Sequence, residues 1–223
     1  MANSTVNIYG TTRSGSENYN NTHGQEVQAC FNSRGDLLVA QALPLQSEMA
    51  RMGTVWTCRM ATGSAFTYVN AWPTTRAELV LYNGEPVGGK SFIILRSFMG
   101  GIATMGAAQF FTLLGQLVPA VATVPAHDTA QLITSHNGKA SYGGMGRVAV
   151  ANTAAGQTTN LWDVLASANA PMTTSVGASL TAELTGYYII PPKGVFAMAG
   201  LSGTAAGTAI IGVTWAEVQL QLG

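Results

Sequence analysis

The sequence predicts an all-β protein: an antiparallel β-sandwich or barrel over residues 25–223, behind an extended polar arm over residues 1–24. Three observations predict it. Apolar and polar residues alternate with a period of two in segment after segment. Turn residues (Gly, Pro, Asn, Asp) interrupt these segments at roughly 8–12-residue intervals. No long segment carries the 3.6-residue period of an amphipathic helix.

In chain order, the arm is rich in Asn, Ser, Thr and Gly, with Val6 and Ile8 as its few aliphatic residues, so alone it buries too little to offset its ordering entropy. Val27, Ala29 and Phe31 alternate with Glu26, Gln28, Cys30 and Asn32, which predicts a half-buried strand. Ser33-Arg34-Gly35-Asp36 forms a turn and Leu37–Leu43 returns as a strand that Pro44 ends. Leu45–Met52 is the most helix-like piece, at most two turns long. Strands are expected over Thr54–Met60 and over Phe66–Trp72, stopped by Pro73, and over Arg76–Tyr82, where Ala77, Leu79 and Leu81 form one face. Asn83-Gly84 is a turn dipeptide, and Ser91–Met99 is aromatic and β-branched. Ala107–Val118 reads equally as a short helix or a buried strand. Gln131–Ser135 and Arg147–Asn152 are short strands, and Leu161–Ala166 reads as a helical turn. Ala178–Leu184 alternates again and ends at Gly186. Tyr187–Ile190, Val195–Leu201 and Ala209–Leu222 complete the set. In the last, Val218, Leu220 and Leu222 alternate with Glu217, Gln219 and Gln221, which a helix would scatter around its circumference. No internal repeat or linker divides residues 25–223.

Composition narrows the function. Charged residues are 9% of the chain, against about 25% in ordinary globular proteins. Ten basic and ten acidic side chains cancel, which speaks against a nucleic-acid partner, since phosphate binding needs a basic stripe. With 47% hydrophobic residues the chain is also no solvated disordered protein. So little charge implies a surface covered by other chains.

Several motifs invite sharper readings. Gly84-Glu85-Pro86-Val87-Gly88-Gly89-Lys90-Ser91 fits the phosphate-loop pattern G-x-x-x-x-G-K-[ST]. Such a loop needs a following helix whose N-terminus holds the anion, and Ser91–Met99 is a poor helix. It also needs an acid for Mg²⁺ at the end of a buried strand, and Asp36, Asp128 and Asp163 do not stand there. A P-loop phosphotransferase is therefore the alternative reading, and a glycine-rich loop between antiparallel strands is the expectation. Arg34-Gly35-Asp36 spells an adhesion tripeptide but is what a hairpin turn selects anyway. Asn3-Ser4-Thr5 and Asn20-Asn21-Thr22 match the glycosylation triplet within an Asn/Thr-rich segment, and no secretory signal is expected in Met1–Gly10. From Ser97 to His127 no charged residue occurs, but Gln109, Gln116, Pro119 and four glycines argue against a membrane helix and for buried β core. Cys30 and Cys58 are expected to be free, buried thiols. His23, His127 and His136 have no metal-ligand spacing, and no serine-hydrolase elbow occurs. Trp56, Trp72, Trp162 and Trp215 are scattered, as core or interface anchors are. No catalytic, cofactor-binding or metal residue is therefore assigned, no cofactor is expected, and the chain is read as a non-enzyme.

Gly186-Tyr187-Tyr188-Ile189-Ile190-Pro191-Pro192-Lys193-Gly194, followed by Gly207–Val218, resembles the end of the jelly-roll virion proteins of tailed bacteriophages, capsid decoration (cement) proteins among them. Leu81–Glu85 running into Gly89–Ile94 is similar in style. Together these stretches cover about a seventh of the chain. The resemblance implies an antiparallel jelly roll that trimerises and sits on a capsid, contacting the major capsid protein or other virion proteins, with no nucleic acid and no membrane as partner. It implies a virion protein, assembled in the host cytoplasm, that stabilises the capsid. A receptor- or glycan-binding virion protein is the second alternative; a groove with clustered aromatic and acidic side chains would point there.

Overall fold

A computed structural model describes residues 45–74, 76–103, 109–121, 123–138, 141–153, 161–170, 179–203 and 207–220. The polar arm, the two strands expected before Pro44, Cys30, His23, the Arg34-Gly35-Asp36 turn and the glycosylation triplets lie outside the described residues. From Gln46 onward the chain forms one compact unit. A short helix, α1 (Leu45–Arg51), opens it, as expected from Leu45–Met52.

Twelve strands follow among the described residues: β1 (Val55–Arg59), β2 (Phe66–Thr67), β3 (Ala77–Asn83), β4 (Ser91–Gly101), β5 (Gln109–Val118), β6 (Ile133–Ser135), β7 (Gly146–Asn152), β8 (Asp163–Ala170), β9 (Ser179–Glu183), β10 (Ile189–Ile190), β11 (Val195–Ser202) and β12 (Thr208–Val218). They form two antiparallel sheets packed as a sandwich. The first runs β10-β4-β12-β1-β6, with β9 also on β4 and β2 also on β12; the second runs β7-β3-β11-β5-β8. The all-β sandwich expected from the period-two alternation is the fold of the protein.

The pairings nest. β5 pairs with β8, β4 with β9 and β10, β3 with β11, and β1 with β12. From the innermost pair outward, successive pairs alternate between the second and first sheets. The two halves of the chain thus run side by side as one long hairpin wrapped around the core. β6 and β7, both between β5 and β8 in sequence, add to the two sheets beside β1 and β3.

β11 shows how the sequence distributes its side chains. Phe196 and Met198 point into the core between the sheets, with Leu79, Leu81, Leu113, Ile211 and Trp215. Val195, Ala197, Ala199 and Leu201 alternate with them and join Val80, Tyr82, Leu114 and Trp162 in a second cluster. The central strands β3 and β11 of the second sheet are therefore buried on both faces, at every position. The one-sided strand expected over Arg76–Tyr82 is corrected accordingly. On the outer face of the first sheet, Met49 and Ala50 of α1 pack on Val55, Leu95 and Ala216. Each fully buried Leu, Ile or Phe contributes about 1.5–3 kcal/mol.

Four expectations change or resolve. The ambiguous Ala107–Val118 segment is a strand over Gln109–Val118, paired on both sides by β11 and β8. The helical turn expected over Leu161–Ala166 is strand β8 from Asp163 onward, held in register with β5 through a bulge at Leu113/Leu114. Tertiary pairing there overrides the weak local preference of an Ala/Ser-rich segment. Phe66–Trp72 pairs only at Phe66–Thr67 and at an isolated bridge, Val69 to Leu201. Tyr187–Ile190 shortens to Ile189–Ile190 because Thr185 (φ 41°) and Gly186 (φ 92°) make a left-handed turn just before it. Among the described residues no helix is long and apolar enough to cross a membrane; within Ser97–His127, Phe111, Leu113 and Leu114 lie in buried strand β5.

Candidate functional site

The phosphate-loop match is a crossing between sheets. Residues 84–90 carry the chain from β3 in the second sheet to β4 in the first, and the segment that follows is a strand rather than a helix. Its amides are turned inward: Gly84 N donates to Met145 O at 3.1 Å and Gly89 N to Pro86 O at 2.8 Å. A Cβ on Gly84 would stand 2.3 Å from the Met145 carbonyl oxygen, and Gly88 has φ +80°. Both glycines answer to the loop's own path. Asn83, fully buried, pins that path: its Nδ2 donates to Lys90 O (2.9 Å) and Ile190 O (3.1 Å), and its Oδ1 accepts from Glu85 N (3.1 Å).

The other singled-out residues have structural surroundings. Cys58 is a free, buried thiol, pushed up to about 12 by burial and, secondarily, by the charge of Asp128. Asp128 is engaged with Ala130 N and Gln131 Nε2, and His127 Nδ1 accepts from Val148 N at 3.1 Å. Trp56, Trp162 and Trp215 are buried, whereas Trp72 is about half exposed.

On the first sheet, one cross-strand row runs Thr134–Thr57–Thr214–Arg96–Glu183 through five strands. Thr57 and Thr214 share a hydroxyl hydrogen bond at 2.7 Å, and Thr57 Oγ1 lies 2.6 Å from His136 Nε2. Burial, and then the Arg96 charge, lower the pKa of His136. Beside the row, the Arg96 guanidinium sits 5.5 Å from the Phe98 ring centre, and a shallow groove of about 260 Å³ opens between Arg59, Arg96, Phe98, Leu180 and Thr181.

The chemically richer place is a cleft of about 430 Å³ where the end of β12 meets the start of β1, the approach to β4 and the loop before β7. Thr54, Trp56, Lys90, Ser141, Gly143 and Glu217 are among its walls. Glu217 is only 5% exposed. Its N–H donates to Thr54 O at 2.9 Å, tying the end of β12 to the residue before β1. Its Oε1 accepts from the Tyr142 hydroxyl and, at 3.4 Å, from Trp215 Nε1. Tyr142 Oη in turn accepts from Gly146 N at 2.7 Å. Burial first, then the hydrogen bond to Glu217, push the Tyr142 phenol well above its ordinary pKa, so it stays a donor. Trp56 and Trp215 pack edge-on against Tyr142, with ring centres 4.8 and 6.2 Å away. The second carboxylate oxygen, Oε2, faces the Lys90 ammonium at 3.9 Å, with Lys90 half exposed. Among the described residues no group of three His, Cys, Asp or Glu side chains is placed to hold a metal. The cleft thus sets one acceptor beside one donor on an aromatic base, an arrangement suited to recognition.

Sequence reasoning assigned no role to Glu217, Tyr142 or Gly143-Gly144. One signal was available: Trp215 and Glu217 are two apart in a strand and share a face, so a buried Trp215 places Glu217 on the buried side. Tyr142 carried no comparable signal, because it reaches Glu217 from a loop 75 residues away.

Compared with protein-family models, curated proteins and solved structures, the chain has no match.

Proposed function

We propose that this protein is a structural component of a virion: an oligomeric jelly-roll protein that decorates and stabilises a bacteriophage capsid. The nested strand pairing carries the reading. Two sheets ordered β1-β12-β4-β9/β10 and β3-β11-β5-β8, with successive nested pairs in alternate sheets, follow the connectivity of a doubled Greek key, an architecture used by viral capsid proteins and also by lectins and cupins. The charge content separates these users. At 9% charged residues, with Val87, Leu132, Leu161 and Tyr187 standing mostly in solvent, the surface favours cover by other chains. The phosphotransferase alternative has no support from the Gly84–Ser91 loop, whose Gly84, Glu85 and Gly89 amides are used internally and which leads into a strand. The cleft beside Glu217 favours the glycan-binding alternative as an added property of such a protein rather than as a rival to it.

Immunogold electron microscopy of particles of the virus that encodes the chain tests the proposal. Gold at regular positions over the capsid is expected. Label on tails alone, or on no particle, would sink it.

A further inference from the structure

We infer that the Glu217 cleft is a binding site for a neutral saccharide, recognised through a pair of ring hydroxyls; the inference does not depend on the virion reading.

The carboxylate supplies the first reason. Oε1 is occupied by Tyr142 and Trp215, whereas Oε2 faces, among the described residues, the Lys90 ammonium at 3.9 Å, beyond hydrogen-bond length. A carboxylate oxygen offers two lone pairs, so Oε2, on a residue only 5% exposed, offers acceptor capacity at the cleft wall.

The neighbouring donor selects the ligand. Lys90 Nζ offers protons beside Oε2, and a hydroxyl is both donor and acceptor. One sugar hydroxyl can donate to Glu217 while it or its neighbour accepts from Lys90. A cationic ligand would meet the Lys90 charge, and an anionic one the Glu217 charge; a neutral polyol meets neither. Trp56, 5% exposed, adds an apolar edge to the cleft wall.

The third reason is room. A cleft of about 430 Å³ falls within the range of small-molecule sites and takes one or two sugar units. Glycine at 144 lets the loop across from Glu217 pack closely on the Tyr142–Glu217 pair. A Cβ on Gly144 would stand 2.7 Å from Glu217 Oε1, and one on Gly143 would meet nothing within 4 Å. Gly143 therefore borders open space at the edge of the cleft.

Saturation-transfer NMR of the full chain tests this with glucose, galactose, N-acetylglucosamine and maltose, followed by titration of the responding sugar, with N-acetylneuraminic acid as the anionic arm. At least one neutral sugar is expected to bind in the millimolar range or tighter. Glu217→Gln, which keeps the volume and an acceptor for Tyr142, is expected to weaken it by about tenfold or more. Lys90→Ala, which removes the donor beside Oε2, is expected to weaken binding likewise while circular dichroism stays unchanged. Lack of response to every neutral sugar up to about 20 mM would overturn the inference, as would preference for the anionic sugar, or binding undiminished in both variants.

Discussion

Asn83 and Cys58 are single residues whose surroundings fix testable behaviour. Asn83 satisfies two carbonyls and one amide of the β3–β4 crossing from a fully buried position. Asn83→Ala leaves those groups unpaired, and a loss of about 2–4 kcal/mol is expected by urea denaturation. A loss within about 0.5 kcal/mol would mean the loop finds other partners. The Cys58 thiol has an ordinary value of 9.0 and a folded value of about 12. The folded chain thus holds a proton that the unfolded chain releases between these values. Stability from this group is present below pH 9.0 and is lost as pH rises toward about 12. Tyr68, also raised to about 12 by burial, adds to the loss at the upper end of that range. Melting temperature is therefore expected to fall steeply above pH 9, and Cys58→Ala should shallow the fall at its onset. Native Cys58 should resist iodoacetamide at pH 8 and react once the chain is unfolded.

At the scale of elements, the β3–β4 crossing separates the phosphate-loop reading from the structural one. Gly84→Ala forces a Cβ toward a backbone carbonyl, and a loss of about 1–3 kcal/mol is expected, whereas Gly63→Ala, with open space around it, should stay within about 0.5 kcal/mol. Calorimetric titration with ATP·Mg²⁺ should give no heat of binding, and Lys90→Ala no change. Micromolar binding lost in that variant would restore the nucleotide reading. Sequence located β1, β3, β4, β11 and β12, whose strong apolar patterns put them at or near the centres of their sheets, and also the edge strands β7 and β9, whose alternation marks a half-buried strand. β8 was misread because Asp163–Ala170 has the composition of a turn and becomes a strand only by pairing with β5. The cleft was half legible. Lys90 was conspicuous within a motif, and Glu217 was recoverable from its spacing to Trp215. Their meeting depends on the crossing between sheets, which local periodicity does not encode.

For the whole molecule, a wrapped double sheet is joined to a 9% charge content that, on the proposed virion reading, favours cover of its surface by other chains. Deleting residues 1–24 is expected to leave the oligomer and its melting temperature nearly unchanged while weakening attachment to the particle, since that arm has few apolar side chains to contribute to a core. A capsid-binding assay on the truncated chain checks this, and undiminished binding would count against the arm as the tether. The measurement that bears most directly on the central claim is native mass spectrometry of the full-length chain. An assembly of several copies, a trimer by the virion reading, is the predicted result; a monomer of 23.1 kDa at micromolar concentration would contradict it.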